Sequence, residues 1–288
     1  MNAIGIDVGS TSIKAAILNL ENESVDQIVQ LPFPDPLPNR PSGHIEIDAD
    51  EVVERCRRLI ISLLDLVEPK VILFCGQHGG LVLIDSNQNL LTPYISWRDL
   101  RTTECSEQVS SRTILRQLSA ELSDQARLRL GNELASGGTV ALLSWFKKHQ
   151  KLPKSVTPIG IAEYVLLRLG NASPVIEPTC AIGMLDFSTM SHARPIFDEL
   201  GLNEVNWPNL KSYREPVGGY WHNGKRIPMH PVIGDHQCAL LGAAFSEREL
   251  SLNISTGSQV SVLTREPKLS TNYQTRCFFD GFLLNTLT

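Results

Sequence analysis

No two cysteines in this chain stand at C-x-x-C spacing. Cys56, Cys75, Cys105, Cys180, Cys238 and Cys277 are scattered singly, which argues against a cysteine zinc site and a disulfide framework. Long apolar runs are missing too: no stretch approaches the ~20 residues that a bilayer-spanning helix needs. The N-terminus carries no basic segment followed by an apolar one and a cleavage site, so export and membrane insertion are both disfavoured and a reducing cytoplasm is expected. Positive charge is neither abundant nor clustered. Lys and Arg number 26 against 31 Asp and Glu, for a net charge of −5, so no sequence-independent nucleic-acid surface is expected and the partner is a small molecule. What the chain does have is length and apolar content: 288 residues, 42% hydrophobic, enough to bury substantial cores in roughly two domains.

The most informative stretch is the first. Ala3 to Val8 is a short apolar strand, Gly9-Ser10-Thr11 a small-residue turn, and Ile13, Ala15 and Ile17 alternate with Ser12, Lys14 and Ala16 at the strand period. Gly-rich phosphate loops of dinucleotide and P-loop proteins open a helix, whereas this turn joins two strands. A hairpin cradle for phosphate is the reading: Gly9 admits a phosphate to the backbone, the amides and hydroxyls of Ser10, Thr11 and Ser12 donate to it, Lys14 adds a positive charge, and Asp7 faces a magnesium ion directly or through water. The alternative is an ordinary tight hairpin whose Asp caps its own turn. A second copy favours the cradle. Leu252 to Thr264 repeats apolar strand, Thr256-Gly257-Ser258 turn and alternating strand, with Gly257 falling opposite Gly9. Two such hairpins suggest a duplicated lobe whose cleft holds a nucleotide from both sides.

Between them the chain alternates strand and helix signals. A strand is expected near Val25 to Gln30, then a proline-rich surface connector from Leu31 to Pro41. Asp48 with Glu51 makes a capping box, and Val52, Val53, Cys56, Leu59, Ile60, Leu63, Leu64 and Val67 keep helical spacing until Pro69. Val71 to Phe74 reads as a buried parallel strand that empties into Gln77-His78-Gly79-Gly80, at the strand end where open α/β sheets place ligands. Gln77 and His78 offer donors and acceptors suited to sugar hydroxyls; a structural role for His78 beside the glycines is the alternative. Leu81 to Ile84 and Leu90-Leu91 form a hairpin. Next, Trp97 and Asp99 in S-W-R-D-L-R suit a polyol through indole stacking and carboxylate hydrogen bonds, or else form a surface Arg–Asp pair beside a half-buried Trp. Helices are expected over Thr102–Ala120, Thr139–Gln150 and the segment ending at Gly170, and a strand pair crossing between the lobes over Val217–Ile233.

Gly234-Asp235-His236-Gln237 opens a small-residue helix. Asp235 is suited to N-capping that helix, and equally to acting as a general base toward a substrate hydroxyl. The helix-start amides are expected to hold it ionised, which would make it a weaker base. Phosphoryl transfer tolerates that, because most of its catalysis is positioning and charge neutralisation.

Taken in order, I-D-V-G-S-T-S-I-K, G-Q-H-G-G, S-W-R-D-L-R, G-D-H-Q-C-A-L-L-G and N-I-S-T-G-S-Q resemble the FGGY family of carbohydrate kinases. Residues 136–150, 234–242 and 252–259 are most similar to its sedoheptulokinase branch and next to its xylulokinase branch. The resemblance implies an α/β, two-lobed actin-like ATPase (ribonuclease H-like) fold, with a sugar lobe over residues 1–230 and an incomplete nucleotide lobe over 231–288. It further implies ATP-dependent phosphorylation of a primary hydroxyl on a ketose or polyol, with Asp235 matching the catalytic base and Asp7 the magnesium-associated carboxylate. A sugar-binding or regulatory protein that has lost catalysis is the rival, and oligomeric state, a homodimer included, is left open. One departure bears on substrate: many relatives show Q-M-H-G, so His78 stands at the Met position and Gly79 at the His position.

Overall fold

The computed structural model describes residues 1–105, 113–254 and 258–287. Strands β1 (Asn2–Val8), β2 (Ser12–Asn19) and β3 (Ser24–Pro32) form an antiparallel meander, with Asp7 directly opposite Lys14 across the first pair. Helix α1 (Ala49–Leu64) then crosses over, and β4 (Ile72–Gly76) returns parallel to β1. Helices α2 (Thr139–Lys148) and α3 (Ile161–Gly170) follow, then β5 (Gly218–His222), β6 (Lys225–Met229) and β7 (Ile233–Gly234). The sheet runs β5-β6-β4-β1-β2-β3, with β7 also pairing with β4. Thus the Val217–Ile233 stretch does not cross between lobes as its sequence suggested. Its hairpin completes an edge of the first sheet, where Met229 pairs with Ile72.

Helix α1 shows how the local code works. Asp48 accepts from the backbone N–H groups of Asp50 and Glu51, and the apolar positions Val52, Cys56, Leu59, Ile60 and Leu63 are buried against the sheet. Glu51 does not complete the expected capping box, because its carboxylate turns outward to pair with Arg55. With the cap resting on one side chain, Asp48→Ala is expected to cost about 1 kcal/mol, read as a shift of the urea midpoint at unchanged slope. Helix α3 closes on β4 so tightly that a Cβ at Gly76 would lie 2.5 Å from the Ala162 methyl. Its C-terminus is held by Asn171 in the left-handed conformation at φ 46°.

A second core gathers Leu81, Leu83, Leu118, Trp145, Phe146, Phe197 and Trp207. Of the helix expected over Thr102–Ala120, residues 106–112 lie outside the described residues; a single 3₁₀ turn spans Arg101–Thr103 and an α-helix capped by Thr113 spans Ile114–Glu121. After β7 comes α4 (Asp235–Gly242), then a four-stranded antiparallel sheet of β8 (Ser251–Asn253), β9 (Gln259–Thr264), β10 (Gln274–Cys277) and β11 (Leu283–Leu287), ordered β8-β9-β11-β10. This sheet is anchored to the first lobe. Thr275 N donates to Gly131 O at 2.9 Å, Asn132 Nδ2 donates to Thr271 O and Tyr273 O, and Cys277 and Leu283 belong to the second core.

Candidate active site

A cavity of about 290 Å³ opens where the two sheets meet, walled by Ser10, Gln77, His78, Trp97 and Asp235 on one side and by Gln259 and Arg276 on the other. Glu133, His236 and the Ser136–Gly138 loop also line it. Several of these residues come from the ends of elements. Gln77 and His78 follow β4, Ser10 sits in the β1–β2 turn, and Asp235 begins α4 directly after β7. This is the carboxyl edge of the parallel strands, where adjacent chain ends splay apart and leave a crevice.

The Gly79-Gly80 turn makes the aperture. Gly80 has φ +69°, and a Cβ there would strike Ile95 O at 2.5 Å; Gly137, at φ +71°, lies against Trp97 O with even less room. Backbone therefore packs on backbone behind Trp97, whose side chain is left 43% exposed on the cavity wall. Gln77 is held rather than free: its Nε2 donates to Val8 O at 3.4 Å and its Oε1 accepts from Tyr94 Oη at 3.2 Å. One amide proton remains for a ligand.

His78 and Asp235 face each other, with Nδ1 3.8 Å from Oδ1. Burial, reinforced by the cationic Arg276, pushes the His78 imidazolium down to about 3, so the ring is neutral and this contact is not an ion pair. Its Nε2 is buried with no hydrogen-bond partner among the described residues. His236 is likewise pushed down, to about 4, by burial and by Arg276. Asp235 does not cap its helix. Gly234 occupies the N-cap, and the Asp235 carboxylate, first in the helix, accepts from the adjacent His236 N–H at 2.7 Å. Nor do the helix-start amides hold it ionised, as expected from the sequence. Burial dominates and, with the negative charge of Asp7, raises it to about 6 despite His236 N–H and Arg276. The result is a carboxylate better matched to proton abstraction near neutrality.

Asp7 lies beside this centre. Burial raises its pKa against the pull of Lys14 and of the Cys75 thiol, whose Sγ is 3.7 Å from Oδ1. A Cβ at Gly9 would sit 3.0 Å from Ser12 O and 3.8 Å from the Asp7 carboxylate, so glycine keeps that concavity open. No three His, Cys, Asp or Glu side chains converge as a metal cage among the described residues. Magnesium, however, is usually held by one or two carboxylates, with substrate phosphates supplying the other oxygens. Asp7 beside an open glycine turn has that composition. Ser10 lines the cavity, while Thr11 is exposed and its carbonyl accepts from Phe33 N at 2.9 Å. In the second hairpin Thr256 and Gly257 lie outside the described residues, Ser258 adjoins β9, and Gln259 reaches the cavity.

Asp99 is the one expected sugar ligand that the structure does not bring to the cavity. It is fully buried, accepts from Ile45 N at 2.7 Å, and is paired with Arg101 through Nε and Nη2. Those bonds occupy both its oxygens, so it is a structural latch and not a ligand. Conversely, sequence reasoning missed Glu133, His236 and Arg276. His236 had a signal in its adjacency to Asp235, whereas Glu133 and Arg276 stand 143 residues apart and only the fold unites them.

Comparison with known proteins accords with this geometry. The description "FGGY family of carbohydrate kinases, N-terminal domain" matches residues 2–242. The chain belongs to the FGGY family of carbohydrate kinases. A xylulose kinase of Staphylococcus xylosus is 25% identical over 289 residues, covering 94% of this chain and 56% of that protein. Among solved structures, the xylulose kinase of Rhodospirillum rubrum aligns at TM-score 0.84 with 18% identity, covering 99% of this chain and 60% of that one. The gluconate kinase of Lactobacillus acidophilus aligns at 0.81 with 18% identity, covering 99% and 59%. The fold is thus the α/β actin-like ATPase fold of FGGY kinases, and the structure covers the first part of such a kinase. The chain spans a little over half the length of the relatives it matches. No helix among the described residues is long and apolar enough to cross a membrane.

Proposed function

We propose that this FGGY chain binds a ketose or polyol of the xylulose or sedoheptulose kind and serves its ATP-dependent phosphorylation at a primary hydroxyl. Asp235 is the general base of that reading. The observation that carries it is the half-open Asp235 carboxylate, raised to about 6, in the cavity that also receives Ser10 from the Gly9 hairpin and Gln259 from the second one. Residues 1–230 serve as the sugar lobe and 231–288 as the opening of the nucleotide lobe. Trp97 stacks on an apolar sugar face, and Gln77 and His78 meet its hydroxyls. The turn at Gly9 to Ser12, with Lys14 behind it and the Thr256-Gly257-Ser258 turn opposite, receives the phosphates. Asp7 would hold magnesium, which when bound neutralises phosphate charge.

Asp235 then accepts the sugar hydroxyl proton as that oxygen attacks the terminal phosphoryl group of ATP and the bond to the bridging oxygen breaks to release ADP, and positioning does most of the remaining work. In the apo protein a base with a pKa of about 6 places the acid limb of kcat/KM there. Sugar phosphorylation is expected to fall about tenfold per pH unit below that point, read by coupled assay from pH 4.5 to 8. Calorimetric titration with xylulose, sedoheptulose and ATP tests the reading at its base. Sugar phosphate formation supports it, sugar binding without ATP binding restricts the chain to recognition, and failure of every sugar to bind overturns it.

A further inference from the structure

The wall facing Asp235 carries an ion pair that the reaction itself does not call for. Glu133, in the loop after the helix at Asp124–Arg129, accepts from Nε of Arg276 on β10, and their side chains are only 7% and 11% exposed. Both line the cavity. Beyond that one bond, the second Glu133 oxygen accepts no hydrogen bond from the described residues and the two terminal guanidinium nitrogens donate none to them. Hydrogen bonds on either side of Arg276 tie its strand to the rest of the site. Thr275 N donates to Gly131 O at 2.9 Å, and Gln237 Nε2 of α4 donates to Cys277 O at 3.1 Å, bracketing Arg276 on both sides.

Resting on the function proposed above, we infer that Glu133 and Arg276 form the specificity element of this site, reading the hydroxyls that are not transferred and rejecting sugar acids. The chemistry is one of balance. A lone buried arginine recruits carboxylates by bidentate pairing. Here Glu133 cancels that charge, so the wall presents fixed donors from Arg276 beside a fixed acceptor from Glu133. A hydroxyl needs one of each, and vicinal hydroxyls on a neutral sugar match the pair, whereas an aldonate meets the Glu133 and Asp235 carboxylates with its own negative charge. Specificity of this kind is built from repulsion of the wrong ligand as much as attraction of the right one.

The test is calorimetric, using the whole chain with xylulose, sedoheptulose and gluconate as probes. Glu133→Gln keeps size and hydrogen bonding but frees the Arg276 charge. Gluconate affinity is expected to rise relative to the neutral sugars by about tenfold or more. If Glu133→Gln does not fold, as judged by circular dichroism, Glu133→Ser serves instead, since it likewise frees the Arg276 charge and should raise the gluconate-to-ketose affinity ratio by about tenfold. A shift in the gluconate-to-ketose ratio is an effect that a merely structural role would not produce. An unchanged ratio, whether affinities hold or fall together, overturns the inference and leaves the kinase reading standing. If the parent chain binds none of the neutral sugars, the kinase reading fails and this inference with it.

Discussion

On the function proposed above, Asp235→Asn is expected to lower sugar phosphorylation by about 10²- to 10⁴-fold, the range for loss of a positioned general base, while raising the stability of the fold. The two effects share one cause. Burial and the charge of Asp7 raise the Asp235 carboxyl from 3.8 to about 6, so the native state favours the protonated form more than the unfolded chain does. Folding then gains from this group below the unfolded pKa and loses that gain as pH rises through about 6. At pH 7.5 the parent holds an ionised carboxylate against its surroundings, and the uncharged asparagine does not. The carboxylate is 42% exposed to the cavity, so solvent screening reduces the full linkage figure to about 1 kcal/mol. Thermal unfolding of both proteins from pH 4 to 8 should show the gap at pH 7.5 closing toward pH 4, alongside the loss of turnover. A variant with both turnover and pH dependence of stability unchanged would remove Asp235 from the role of base.

That coupling of activity to instability is what a functional group at a lobe junction should show, since sites are where local rules are broken and the cost is met elsewhere. His78 Nε2, His236 Nδ1 and Gln237 Oε1 are further buried polar atoms without partners among the described residues, all adjoining the same junction. They are three of the seven such atoms among the described residues, and their nearness to Asp235 is consistent with a site completed by a polar ligand.

Where the code is local, the sequence was legible. The β1–β2 hairpin, α1 and the buried strand β4 follow from periods of two and 3.6 and from the Asp48 cap, and the Gly9 turn announced itself by joining strand to strand. Readings that depended on what packs over a residue were not legible. Gly234-Asp235 shows a helix start, but not the surrounding protein that drives the carboxyl the opposite way from the helix amides. S-W-R-D-L-R shows charges beside an indole, but not that one charge faces inward: Glu46, which helps hold Arg101, lies 55 residues away. The Val217–Ile233 hairpin has strand character, yet only the pairing of Met229 with Ile72 decides which sheet it joins.

Breaking the Asp99–Arg101 latch is expected to be the largest single loss of stability in the chain. Asp99 is 0% and Arg101 3% exposed, and Arg101 also donates to Glu46 at 2.8 Å while its guanidinium lies 5.0 Å from the centre of the Trp145 ring. Removing Asp99 strips Arg101 Nε of its acceptor and leaves Glu46 as the remaining carboxylate partner of a nearly dry guanidinium. Asp99→Ala should therefore cost about 2–4 kcal/mol, since a buried charge that loses one of its two carboxylate partners is left under-compensated. For a protein of this size that corresponds to a melting temperature lower by on the order of 10 °C. Ile45 N would lose its acceptor as well. The double variant Asp99→Leu with Arg101→Met, which removes both charges and fills the volume, should recover a substantial part of the loss, and a double-mutant cycle by urea denaturation measures the coupling. The same experiment separates the latch from a sugar ligand. A ligand would lose sugar affinity on Asp99→Asn with the melting temperature intact. A latch loses stability first, and the Trp97 wall loosens with it because Asp99 O also accepts from Ser136 Oγ at 3.0 Å, beside the Gly137 contact that backs the indole.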